Sequence, residues 1–342
     1  MLAKPDLPDE KILACLQVEY GLHGVQIVFL PIGWQYTAVY RVVAEDQAPY
    51  FVKLIRGSFD EAAVVVPKFL SDQGITHIIA PLTTSTGQLW ASLDTFKLIL
   101  YPFIAGHNGF QVALSDSQWV DFGRAVNSIH TAWVPPALIH GIQPETYSPA
   151  WRELVKTFLA RVAVDAFADP LAIEAASFLQ ARGEKILDLV RRAEQLALAL
   201  QARSPAFVLC HSDLHAGNLL INANDALYIV DWDNPVLAPK ERDLMFIGGG
   251  LMGTGHSAQA QEALFYRGYG QTQINAIALA YYRYERIIED IAVECELIFR
   301  TNEGSVDRAK ALRSLRSQFL PNHVLEIAYQ SDMSGTPEVH AQ

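Results

Sequence analysis

Cysteine is scarce in this 342-residue chain, and the three present, Cys15, Cys210 and Cys295, lie far apart with no Cys-x-x-Cys pair. That excludes a disulfide framework or zinc ribbon and fits a reducing compartment, so the protein is expected in the cytoplasm. Long hydrophobic runs are missing too. The longest, "LILYPFIAG", falls short of the ~18 apolar residues that cross a bilayer, so no membrane partner is expected. The opening "MLAKPDLPDEK" is polar and proline-interrupted, unlike a signal peptide. Positive charge is in deficit: Lys+Arg 26 stand against Asp+Glu 37, a net charge of −11, with no compensating basic stripe. Such a field repels phosphate backbones, which excludes nucleic acid as an expected partner, and attracts a cationic small molecule.

What the chain does have is apolar content, 51% of its residues, enough for two separate cores. In the first hundred residues "QIVFLP", "TAVYRVV" and "YFVKLI" read as strands. "DEAAVVVPKFLSDQG" (60–74) reads as a helix stopped by Gly74, with a kink or late start expected at Pro67. "HIIAP", "QLWASL" and "FKLILYPFI" return to strand. These features predict an α+β fold, with an antiparallel sheet and one main helix over 1–103. The composition breaks at "IAGHNGF" (104–110), and helices dominate from Ser115, a good N-cap, through 104–330. Helices are expected at 148–162 behind Ser148 and Pro149, and at 173–203, 257–268, 273–300 and 305–319. The polar tail 331–342 is expected to be disordered.

Between two apolar runs stands a polar knot, "VLCHSDLHAGNLLI" (208–221), followed by "YIVDWDNP". Divalent magnesium takes hard oxygens, commonly one or two carboxylates completed by phosphate oxygens. Asn218 and Asp231 can supply them, leaving Asp213 to orient or deprotonate a substrate hydroxyl. His211, Asp213 and Asn218 match the spacing of a kinase catalytic loop, and Asp231 ends the next strand. Phosphoryl transfer of this kind also demands a lysine on a strand, which "YFVKLI" supplies as Lys53. Each residue alone has a blander reading, as a turn-former or a surface lysine. Together and in this order, they point to a phosphotransferase. The His211-x-Asp213-x-His215 pattern also suits a metallohydrolase, but the other histidines are scattered singly.

"CHSDLHAGNLLI…YIVDWDNPVLAPKERDLMFIGG" resembles the aminoglycoside phosphotransferase and choline kinase family, which has the two-lobe protein-kinase-like fold. "YPFIAGHNGF", "YSPAWRELV" and "YYRYERIIEDIA" are similar to its spectinomycin (aminoglycoside 9-) phosphotransferase branch. The resemblance implies Asp213 as catalytic acid or base, Asn218 and Asp231 as magnesium ligands, and Lys53 on the phosphates of ATP. It implies a hinge in "LILYPFI", with backbone groups near Tyr101 and Phe103 reading adenine. Glu61 is the expected carboxylate partner of Lys53, and Asp243 in "ERDL" the buried acid under the catalytic loop. The glycine-rich loop is reduced to "LPIGWQYTAVY", where Gly33 stands alone beside the phosphates.

Asp243 follows Asp231 by twelve positions, which leaves no room for a peptide-docking segment, so the acceptor is a small molecule. Trp232 and Asp233, beside the metal-binding acid, are expected on the substrate side. Glu285, Glu289 and Asp290 form either an acidic wall for the amines of an aminocyclitol such as spectinomycin or a solvated helix face. The alternatives are a metabolite kinase for choline, homoserine, a fructosamine or methylthioribose, or a nucleotide-binding pseudokinase. The pseudokinase is disfavoured because Lys53, Asp213, Asn218 and Asp231 are all present.

Overall fold

The computed structural model describes residues 4–32, 36–248, 255–300, 305–321 and 323–334. The chain opens on helix α1 (Asp9–Tyr20), followed by β1 (Gly24–Leu30), β2 (Thr37–Ala44) and β3 (Pro49–Arg56). Helix α2 (Ala62–Asp72), β4 (Ala91–Leu93) and β5 (Phe96–Pro102) complete this region, whose antiparallel sheet has the order β1-β2-β3-β5-β4. Side chains alternate between the two faces of a strand. Tyr40, Val42, Val52, Leu54, Leu98 and Leu100 therefore close a core with Ile12 and Leu16 of α1. The register Phe51↔Tyr101 and Lys53↔Ile99 sends Lys53 and Tyr101 out of the opposite face.

Helix α1 corrects the expectation of one main helix here. Its signal is Ile12, Cys15 and Leu16, spaced to line one side, and Gly21 at φ 65 ends it. Helix α2 runs through Pro67 with no late start. Its buried side, Ala62, Val66 and Leu70, packs with Leu219, Ile229 and Trp232, so α2 braces the second half of the chain. The Ile229 amide donates to the His77 carbonyl at 2.8 Å and extends that tie.

The C-terminal region is mainly helical. It begins with β6 (Gly106–Asn108) and α3 (Asp116–Thr131), whose start is fixed by a capping box between Ser115 and Gln118. Short α4 (Pro136–Ile139), α5 (Ala150–Val164) and long α6 (Pro170–Arg203) follow. The catalytic segment is carried by β7 (Val208–Cys210), β8 (Leu219–Asn222), β9 (Leu227–Ile229) and β10 (Val236–Ala238), paired as β7-β10 and β6-β8-β9. Then come α7 (Glu241–Leu244), α8 (Ala258–Tyr269), α9 (Ala276–Arg300), α10 (Ser305–Ser317) and α11 (Val324–Ser334). Helix α11 carries order through Ser334, past the point where fraying was expected, and 335–342 lie outside the described residues.

Helix α9 decides much of the site. Tyr281, Tyr282, Tyr284, Ile287, Ile288, Ile291 and Cys295 bury it on most sides, between α5, α6, α10 and α11. A helix apolar nearly all round is a core helix, so its charged residues must be paired or face a cavity. No helix among the described residues is long and apolar enough to cross a membrane.

Candidate active site

The catalytic loop is held from beneath. Asp243, fully buried, accepts from the amides of His211 (3.0 Å) and Ser212 (2.7 Å), and its Oδ2 lies 2.9 Å from His130 Nε2. His130 Nδ1 in turn meets the Tyr269 hydroxyl at 2.8 Å. These bonds stabilise a backbone that L-residues disfavour at Ser212, which has φ 74; Asp231, at φ 66, is in the same left-handed region. His130, Cys210 and Asp243 are the one metal-sized cluster among the described residues, but the His130 nitrogens and Asp243 oxygens are already engaged. The metallohydrolase pattern gains nothing either, because His211 Nε2 is bonded to the Val230 carbonyl at 3.0 Å.

Above this base the expected polar residues converge. The Asn218 amide nitrogen donates to the Asp213 carbonyl (2.8 Å) and to Asp213 Oδ2 (3.3 Å), leaving its oxygen free for a cation. The Val230 amide donates to the Asn218 carbonyl at 2.9 Å, which sets Asp231 beside Asn218. Lys53 Nζ reaches across from the sheet to Asp231 Oδ1 (3.0 Å) and Asp233 Oδ1 (2.5 Å). Burial works against the Lys53 ammonium, but the Asp231 and Asp233 charges hold its pKa above the ordinary value. Burial likewise opposes ionisation of Asp231, and Lys53 overcomes it and keeps that carboxyl below its usual range. Asp233, pushed by burial and by the Asp231 charge, rises instead.

Asp213 has partners of its own. Arg286 Nη1 lies 2.5 Å from its Oδ1, and His215 Nε2 is 3.4 Å from Oδ2. Burial raises the cost of its charge, yet the His215 hydrogen bond and the Arg286 charge hold its carboxyl far below the ordinary range. Held in this way, the Asp213 carboxylate can accept a hydrogen bond from a substrate hydroxyl and align it. It lines a cavity of about 930 Å³ that also exposes Asp231, Asp233, Glu289, Asp290, Glu294, Arg283 and Arg286.

A loop-borne carboxylate, an Asn and an Asp that offer hard oxygens, and a strand lysine make an arrangement that can serve phosphoryl transfer. The family described as "Phosphotransferase enzyme family" matches residues 28–282. The chain belongs to this phosphotransferase family. It is similar over nearly all of its length to the crystal structure of spectinomycin phosphotransferase, APH(9)-Ia, in complex with ADP and spectinomycin. That match has 37% identity and a TM-score of 0.87 and covers 96% of this chain and 99% of that one. The AMP-bound complex of the same enzyme matches at 36% identity and TM-score 0.81, covering 94% and 98%. Plasmodium vivax ethanolamine kinase, at 13% identity, TM-score 0.59 and coverage of 92% and 88%, shares the fold alone. Among curated proteins no relative matches. The protein is a small-molecule kinase with a protein-kinase-like fold.

In this phosphotransferase several expected site residues stand elsewhere. Glu61 is exposed at the start of α2, where its backbone carbonyl accepts from the Val64 and Val65 amides. The partners of Lys53 are Asp231 and Asp233, which face it across the cleft. Asp233 consequently belongs to the lysine end of the cavity rather than to an acceptor wall. The Phe103 amide is tied to the Pro49 carbonyl at 3.2 Å, so it is not a free donor for adenine. Tyr101 extends the face that carries Lys53. Gly33 lies outside the described residues.

Trp232 is buried, with its ring edge-on to His211 at 4.5 Å and its Nε1 donating to the Ile229 carbonyl, and so supports the loop from inside. Glu285 is also core. Arg152 Nη1 bonds it at 2.6 Å, and burial pushes its pKa up to about 7 against the pull of Arg152. Glu289 and Asp290 do line the cavity. Sequence reasoning missed Arg286 as the partner of Asp213. The signal was Arg286 four residues before Asp290, an i,i+4 pair now seen at 3.0 Å. Glu285→Ala is expected to cost about 3–5 kcal/mol of stability, because it leaves the Arg152 charge buried and unpaired. Urea denaturation measures this, and a variant as stable as the parent would return Glu285 to the substrate side.

Proposed function

We propose that this kinase transfers the γ-phosphoryl group of ATP to a hydroxyl of an aminocyclitol of the spectinomycin type, a reaction that would confer antibiotic resistance. The observation that carries the reading is the acidic cavity beginning at Asp213, in a chain 37% identical to a phosphotransferase solved with ADP and spectinomycin. Asp213 accepts a hydrogen bond from the attacking hydroxyl and points its lone pair at phosphorus. Lys53 leaves its carboxylate partners for the phosphates as nucleotide enters between residues 1–103 and 104–330. The base is read by hinge backbone other than the Phe103 amide.

The donor set of Asn218 oxygen and Asp231 carboxylate, with Asp233 adjacent, is all hard oxygen and suits magnesium. Bound there, the ion would neutralise charge developing on the transferred phosphoryl. A requirement for ATP places the reaction in the cytoplasm. The test is a coupled assay of ADP release over spectinomycin, other aminocyclitols, choline, homoserine, a fructosamine and methylthioribose. Spectinomycin should give the highest kcat/KM. Faster turnover of a metabolite would replace the aminocyclitol reading, and ADP release stimulated by none of these acceptors would defeat both.

A further inference from the structure

Asp213 is held unevenly. An ionised carboxylate offers about four places to donors, two on each oxygen. Oδ2 meets two donors from its own loop, Asn218 Nδ2 at 3.3 Å and His215 Nε2 at 3.4 Å. The Gly217 amide donates to His215 Nδ1 at 3.0 Å, which leaves Nε2 to carry the ring proton that faces Asp213. Oδ1 meets one donor, Arg286 Nη1 at 2.5 Å. Among the described residues the open place on the carboxylate is therefore on Oδ1, beside Arg286.

The two loop bonds are long and so are weak guides for the carboxylate. The short, charge-assisted bond comes from α9, 73 residues further along the chain. Arg286 is itself fixed. Its Nε holds Asp290 Oδ1 at 3.0 Å, one turn along the helix, and its guanidinium lies over the Phe246 ring, 5.5 Å from the centroid. Arg283 donates to the Met245 and Ile247 carbonyls at 3.0 and 2.7 Å, which seats Phe246 against the same helix. A planar fork pinned at one nitrogen and stacked on a ring presents its other nitrogens in a set direction.

We infer that Arg286 is a positioning residue for phosphoryl transfer, a rigid arm from α9 that aims Asp213 Oδ1 at the place where the acceptor hydroxyl docks. The inference rests on the reading of Asp213 as the group that aligns that hydroxyl, and it holds for any acceptor that uses this carboxylate. It gives the cavity wall a part in the reaction. Helix α9 lines the cavity with Glu289 and Asp290 and, through Arg286, sets the aim of the loop opposite. A misplacement of about 1 Å at such a point costs on the order of a hundredfold in rate.

The test is a double-mutant cycle of Arg286→Met and Asp213→Asn, assayed with ATP and spectinomycin. Arg286→Met alone should lower kcat by on the order of tenfold to a hundredfold and leave the KM for ATP within about twofold of the parent. In the Asp213→Asn background the same change should cost less than about twofold, because the charged oxygen it aims is already gone. Arg286→Lys should recover little, since one ammonium cannot hold Asp290 and Asp213 in two fixed directions. A purely structural role, or a contact with the phosphoryl group itself, predicts the same loss in both backgrounds, and that result would overturn the inference. Parent-like kcat in Arg286→Met or Arg286→Lys would overturn it as well. Thermal melting checks that each variant folds, and where Arg286→Met does not, Arg286→Lys runs the same cycle. If Asp213→Asn turns over like the parent, the reading of Asp213 falls and takes the inference with it. Where another acceptor gives a higher kcat/KM than spectinomycin, the cycle is run on that acceptor and judged in the same way.

Discussion

Asp213→Ala is expected to lower kcat by on the order of a hundredfold or more while leaving the affinity for ATP nearly intact. The carboxylate lies on the acceptor side of the loop, where Arg286 and His215 hold it charged and Asn218 fixes its direction. Its removal takes away the group that aligns the hydroxyl, and the nucleotide does not need that group to bind. Asp213→Asn should show nearly the same loss, since an amide of the same shape lacks the charge that draws the hydroxyl proton. Steady-state kinetics with ADP binding measured alongside would separate the two roles. Turnover near that of the parent in either variant would remove Asp213 from the reaction.

Asp231→Asn should cripple the magnesium dependence. An amide cannot hold the ion against phosphate charge, and the substitution also deprives Lys53 of one of its two carboxylates. The expected result is a fall in kcat of on the order of a hundredfold or more, with ADP binding that magnesium no longer tightens. Asn218→Ala should act in the same direction but more weakly, because it gives up a neutral oxygen. Calorimetry of ADP with and without magnesium, on both variants and the parent, is the decisive measurement. Identical magnesium dependence in all three would put the metal site elsewhere.

The residues proposed to carry the reaction were legible because their chemistry is local. His211, Asp213 and Asn218 share one loop, and Asp231 lies two residues past β9, the strand paired to the β8 that follows that loop, so sequence spacing alone implies their proximity. The strand around Lys53 was legible because β-branched and aromatic alternation marks a sheet. The capping box at Ser115 located α3 for the same kind of reason. Helix α1 was less visible, since Ile12, Cys15 and Leu16 form a narrow stripe beside a strand-rich stretch.

What the sequence by itself determined is the fold class, the family and the loop residues of the site, all written as short-range spacing and hydrophobic period. Tertiary structure alone decided which acids are free to meet a ligand. Glu285, Glu289, Asp290 and Glu294 occur within one helix and look alike in sequence. Yet Arg152, on α5, buries Glu285, while Gln318 and His323, beyond the end of α10, line the same cavity end as Asp290 and Glu294. Likewise Lys53 pairs with Asp231 and Asp233 rather than with nearby Glu61, because the cleft brings together groups 178 and 180 residues apart. The physical reason is that a charge takes its role from whichever neighbour desolvates or neutralises it, and those neighbours come from elements remote in the chain.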